Sequence, residues 1–175
     1  LLRSLHAHDV DFLRGLSERS GGESSMGAIA VLSRADEVGS GRLNSMAIVN
    51  KAVDRLREDP SLEAACETIV PVAGLLALAG QTLRQSEFAQ LATIAQLGES
   101  DLSSLVVSAD RFITSEVDGL PSQQARDQLL RRLGLFGIRL AVAMIRVGAN
   151  DATTLSQELV KHSGLEELHR VIDVH

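Results

Sequence analysis

The chain has no tryptophan and no tyrosine, and only four phenylalanines among its 175 residues. Without aromatic rings to stack on bases, a platform for single-stranded nucleic acid is excluded. A basic excess is missing too. There are 23 Asp and Glu against 17 Lys and Arg, a formal net charge of -6, which disfavours any surface that must neutralise a row of phosphates. No nucleic acid partner is expected. The single cysteine, Cys66, rules out an intramolecular disulfide and is expected as a small buried hydrophobe in a reducing, cytoplasmic setting. Long apolar runs are absent. The two that stand out, 69–80 and 133–145, fall short of the roughly 18 to 20 apolar residues a membrane-spanning helix needs, and the second carries Arg139. The chain opens on Leu1-Leu2-Arg3, in the middle of an apolar element, and is expected to be a piece of a longer protein.

What is present supports one core. At this length a chain buries roughly 70% of its unfolded surface without staples. The run 28–32 (Ala-Ile-Ala-Val-Leu) predicts a short strand buried on both faces of a parallel sheet. A helix opens after Gly39 and Gly41 with Leu43, Met46, Val49, Val53 and Leu56 on one stripe, and stops at Asp59 before Pro60. The run 68–72 (Thr-Ile-Val-Pro-Val) predicts a second strand, with Pro71 tolerable where pairing is ending. Strand, helix, strand is the pattern of a parallel crossover. Another helix is read over 8–19. From Gly74 onward only helix signals remain, over 86–97, 101–117 and 122–147, the last interrupted at Gly134 and Gly137. Capping-box spacings at Thr154 and Ser163 predict two more. The expected fold is α/β in front and helical behind, divided as 1–80 and 81–175.

The residues 30–37 (Ala-Val-Leu-Ser-Arg-Ala-Asp-Glu) deliver a polar residue, a long basic side chain and an Asp to the carboxyl end of a strand, where open parallel sheets bind ligands. Within this run, 33–36 resembles the guanine-specificity motif of GTPases, which implies that an ionised Asp36 accepts two hydrogen bonds from the ring N–H and exocyclic amine of guanine, a donor pair that adenine lacks on that edge. The stem of Arg34 would lie over the base. The plainer alternative makes 33–36 a helix N-cap. The end of the second strand, 70–74 (Val-Pro-Val-Ala-Gly), resembles the GTPase motif that comes next in sequence after the guanine-specificity motif. This implies that a backbone N–H of Ala73 or Gly74 meets the guanine carbonyl oxygen, small residues there letting the backbone approach.

The motif 33–36 (Ser-Arg-Ala-Asp) resembles the guanine-specificity motif [NT]-K-x-D of GTPases, with Ser33 and Arg34 as departures from it. Together with 31–39, 70–76 and 132–140 (Arg-Leu-Gly-Leu-Phe-Gly-Ile-Arg-Leu), the chain resembles bacterial dynamin-like GTPases, in the actinobacterial branch that includes the isoniazid-induced proteins. The resemblance implies the C-terminal part of a P-loop GTPase sheet, two or three parallel strands, followed by a helical extension leading toward a neck or stalk. It implies a parent that binds GTP or GDP with Mg²⁺ and hydrolyses GTP. It also implies homo-oligomers through paired G domains, and a cytoplasmic location with peripheral contact at the inner face of the cell membrane. Ser33, Arg34, Asp36, Ala73 and Gly74 are the expected guanine contacts. No G-x-x-x-x-G-K-[ST] loop occurs, since the two lysines, Lys51 and Lys161, do not follow a glycine. No catalytic or metal-binding residue is therefore expected in this chain, which alone is expected to be inactive. The alternative is a helical protein-interaction module without nucleotide chemistry.

Two further features admit two readings each. His6, His8, Asp9 and Asp11 suggest a metal cluster, but no further ligand recurs at zinc spacing, and the plainer reading is a helix N-terminus with favourable acids. By the resemblance, 4–9 would also be a contact region near the nucleotide. Arg126, Arg131, Arg132, Arg139 and Arg146 form either a docking surface for a subunit or anionic lipid, or the solvated side of a core helix.

Overall fold

The computed structural model describes residues 15, 29–37, 42–58 and 66–174. The expected helix over 8–19, the histidine-aspartate group at 6–11 and the glycines at 39–41 lie outside the described residues, apart from Gly15, which is helical. Two strands, β1 (Ile29–Ser33) and β2 (Thr68–Val72), pair in parallel with Ile29 opposite Thr68 and Ser33 opposite Val72. Between them runs α1 (Ser45–Arg57). The remainder is helical: α2 (Gly74–Gln81), α3 (Gln85–Ala95), α4 (Glu99–Leu105), α5 (Ala109–Thr114), α6 (Gln123–Arg146), α7 (Ala152–Lys161) and α8 (Leu165–Asp173). The protein is thus mainly helical, with a small parallel sheet at its front.

Two apolar cores meet at α1. Ala35, Val49, Val53, Cys66 and Ile69 are buried together, with Ala30 and Leu32 of β1 against them. The larger core takes in Ala73, Leu76, Leu91, Ile94, Leu129, Leu133, Phe136, Ile138, Leu155 and Leu159, and Met46 packs against both. Cys66 is buried and burial pushes its thiol pKa up, in keeping with a packing role.

One expectation needs correcting. β1 is not buried on both faces, because Val31 is 48% exposed. The cover that buries Val70 and Val72 stops short of it, and no described strand flanks β1 on its other side. β2 is the opposite case. The Ile69 carbonyl accepts from Arg57 Nη2 at 2.8 Å, and the Ala73 N–H donates to the Ser163 carbonyl at 2.8 Å. Backbone groups alternate between the two edges of a strand, so residues 69, 71 and 73 face away from β1. Pro71 therefore sits mid-strand on the edge where its missing N–H costs no ladder bond.

The turn at Ser163 and Gly164 closes this edge. Gly164 has φ 81°, and a Cβ there would stand 2.1 Å from the Pro71 carbonyl oxygen. Gly164→Ala is expected to destabilise the chain by about 2 kcal/mol, from left-handed strain and the backbone clash combined. Thermal unfolding followed by circular dichroism would check it, and an unchanged midpoint would show that the turn does not press on β2.

The helical signals hold with local changes. Residues 101–117 do not form one helix: the first segment stops at Leu105 with Val106 as its C-cap, and Ser108 caps α5, its side chain accepting from the Arg111 N–H at 3.2 Å. The cap of α7 is Asp151, not Thr154. Its carboxylate accepts from the Thr154 N–H at 2.8 Å, and the hydrogen bonds from Thr154 hold its pKa below the usual carboxylate range. In α8 the N-cap is Gly164, not Ser163, whose hydroxyl accepts from the Leu165 N–H at 3.2 Å. In α6 only Gly134 interrupts the helix; Gly137 stays helical and buried, packed close to Leu76 and Leu133.

Four of the five arginines of α6 take a role that neither reading gave them. Arg126 donates to the carbonyls of Phe112, Ile113, Ser115 and Pro121 at 2.6 to 2.8 Å. Arg132 donates to the Thr82 carbonyl, Arg139 to those of Val106 and Val107, and Arg146 to those of Ala95 and Leu97. Each of α2, α3, α4 and α5 therefore has its carboxyl end capped by an arginine of α6. The last turn of a helix leaves carbonyls without partners and carries the negative end of the helix dipole. A guanidinium satisfies both at once. Arg131 caps no helix and lies on the solvated side, as the second reading has it, paired with Asp127 at 2.8 Å, and Arg146 is exposed as well, paired with Glu99 at 2.9 Å.

Candidate functional site

The parallel register brings the two sequence motifs together. With Ser33 opposite Val72, the 3-10 turn Ala35–Glu37 that follows β1 packs against the end of β2. Both segments leave the sheet at the carboxyl ends of their strands. α1 begins at this same edge and contacts the turn. Among the described residues, one 3-10 turn follows β1 before α1 starts at Ser45.

Arg34 makes the turn possible at a cost. It has φ 58°, the only non-glycine positive φ among the described residues, a conformation that costs an ordinary residue roughly 1 to 2 kcal/mol. Its guanidinium is exposed and paired with the Glu37 carboxylate. Ser33 is exposed as well. Asp36 is buried, at 7% exposure. Burial raises its carboxyl pKa, its own backbone N–H partly opposes this, Glu37 adds to the rise and Arg34 opposes it.

At the end of β2 the structure distinguishes between the two expected donors. The Ala73 N–H is fully buried and committed to Ser163. Gly74 is exposed and is the first residue of α2, where a backbone N–H has no partner within its own helix. Of the pair, Gly74 is the one whose N–H is not committed to a backbone carbonyl among the described residues.

The sequence reading missed what lies over Asp36. α6 departs from helical geometry at Gly134, with φ 65° and ψ 171°, and a Cβ there would stand 3.9 Å from Asp36 Oδ2. The signal available was a glycine inside a long helical pattern, which marks a kink but not what it bends toward. A cavity of about 450 Å³ opens elsewhere, between α1 and the α7–α8 turn, lined by Asn50, Asp54, Arg57, Lys161, His162 and Glu167 among others. None of Ser33, Arg34, Asp36, Ala73 and Gly74 lines it. Among the described residues no group of three His, Cys, Asp or Glu could hold a metal, and no helix is long and apolar enough to cross a membrane.

The chain is 40% identical over 174 residues, 99% of its length, to the isoniazid-induced protein IniC of Mycobacterium tuberculosis, in strain CDC 1551 / Oshkosh and again in strain ATCC 25618 / H37Rv. It spans 35% of the length of these curated relatives. No protein-family model and no solved structure matches it.

Proposed function

We propose that this chain is the guanine-recognition part of a dynamin-like, GTP-hydrolysing protein. The observation that carries the reading is the register of β1 and β2. It sets the Asp36 turn beside the start of α2, so that a carboxylate and an open Gly74 N–H stand at the ends of two adjacent parallel strands. That is the ligand-binding edge of an open α/β sheet. The strain at Arg34 adds support, since such outliers persist where the surrounding structure requires them. The edges of the sheet fit as well. β2 is sealed by Arg57 and the Gly164 turn, whereas among the described residues no strand flanks β1 on its other side, where further strands of a GTPase sheet can be added.

In this reading Asp36 accepts from the guanine edge, Gly74 donates to its carbonyl oxygen, and Arg34 exchanges Glu37 for the face of the base. Ser33 stands where the motif braces the phosphate loop. Phosphate cradling, Mg²⁺ and attack of water on the γ-phosphate belong to other parts of the parent polypeptide. Pairing of G domains and peripheral membrane contact rest on the resemblance alone. Titration calorimetry of the parent polypeptide with GTP and with ATP tests the proposal. GTP is expected to bind at least 100-fold tighter, and equal affinities would overturn it. Equal affinities would favour the helical interaction module, for which the exposed Leu75 and Leu78 on α2 supply an apolar face.

A further inference from the structure

We propose that α6 is a latch over the base-reading carboxylate, so that guanine binding at Asp36 and the bend of α6 at Gly134 exclude one another. The inference rests on the guanine reading of Asp36 and concerns how that site is regulated. A guanine edge presents two donors in one plane and engages both oxygens of a carboxylate. In this conformation Asp36 is 7% exposed, and its Oδ2 lies 3.9 Å from where a Cβ on the α6 backbone at Gly134 would stand. The base cannot reach both oxygens until that backbone withdraws.

The bend has the properties of one state of a pair. Gly134 occupies a φ/ψ region essentially reserved to glycine. A helix broken there forfeits intrahelical hydrogen bonds that a straight helix would recover. The closed state gains the cover over Asp36; the open state gains the restored helix and the contact with the base. The arginine caps give the movement reach. Arg126 and Arg132 precede the bend and hold α5 and α2, while Arg139 and Arg146 follow it and hold α4 and α3. Straightening at Gly134 therefore shifts the second pair of helices relative to the first, a hinge motion set by the base.

The test uses the parent polypeptide and GDP as the probe, with ADP as the control. GDP, but not ADP, is expected to change amide hydrogen exchange over residues 134–138. Gly134→Ala disfavours the bend and leaves room for its own Cβ, so it is expected to bind GDP about five-fold tighter by enriching the open state. Gly119→Ala imposes similar strain at φ 82° with nothing within 4 Å, and is expected to leave the affinity unchanged. Exchange over 134–138 that ignores GDP, or a Gly134→Ala affinity equal to or weaker than wild type, overturns the latch while leaving the guanine site in place. If Gly134→Ala does not fold, the wild-type exchange result decides alone. If the wild type prefers neither GDP nor ADP, the guanine site itself fails and the latch falls with it.

Discussion

Arg126→Ala is expected to destabilise the chain by about 4 kcal/mol and lower its thermal midpoint by roughly 8 to 16 °C. The guanidinium is 6% exposed and donates four hydrogen bonds, all to backbone carbonyls around the end of α5. No carboxylate balances it among these contacts. The charge is held by the negative end of the α5 dipole and by carbonyl oxygens that would otherwise lack partners. Truncation leaves those carbonyls in a cavity, each losing a charge-assisted bond of about 1.5 kcal/mol or more. Arg126→Lys keeps the charge but cannot span four acceptors from one ammonium, and is expected to cost about half as much. Thermal and urea unfolding of the three chains would check the order. Equal stability of the lysine and arginine forms would show that charge alone, without the fork, holds α5.

On the proposed guanine reading, Asp36→Ala is expected to remove the preference for GTP over ATP, a loss of about 10³-fold, the worth of two hydrogen bonds to a charged acceptor. Asp36→Asn separates this role from a structural one. It too is expected to lose the preference, because an amide presents only one oxygen to two donors. Yet it removes a buried charge, so its thermal midpoint at neutral pH is expected to rise above wild type. The pH dependence carries the same sign. Burial raises the Asp36 pKa in the folded chain, so the native state holds its proton more tightly than the unfolded state. The contribution of this group to stability is then greatest below its ordinary pKa. It declines as pH rises through the raised native value, and the decline should vanish in Asp36→Asn. A fall in the midpoint of Asp36→Asn would make Asp36 a structural cap.

The sheet was legible because its cues are local. A continuous apolar run, a proline-ended helix and a second apolar run place β1, β2 and the end of α1 within a residue or two of their observed positions, and the start of α1 a few residues early. Exposure of Val31 was not legible, since a run of five apolar residues looks the same whether one face or two are covered. Leu43 shows the same limit. It fits the stripe of α1 by spacing, but it precedes the helix and is 54% exposed. For the candidate site, the chain order could propose Asp36 and the Ala73–Gly74 pair, but not which N–H was already in use. The Ala73 donor is taken by Ser163, a residue far along the chain. The arginines carried a cue that was not used. Arg132, Arg139 and Arg146 recur every seven residues, which in an unbroken helix would put them on one side, and guanidinium groups directed at packed neighbours need acceptors. Which acceptors could be known only from tertiary packing.

Those caps also bear on how the chain comes to be folded during synthesis. The helices α2 to α5 are complete before the ribosome reaches Gln123, yet the groups that close their carboxyl ends all arrive later, on α6. Each of the four is short, and isolated helices of such length are marginal in water. They must therefore wait as fluctuating segments and lock together once Arg146 has emerged, as one cooperative unit. A nascent chain arrested before that point has little to hold it, and the same holds for any proteolytic product that ends within α6.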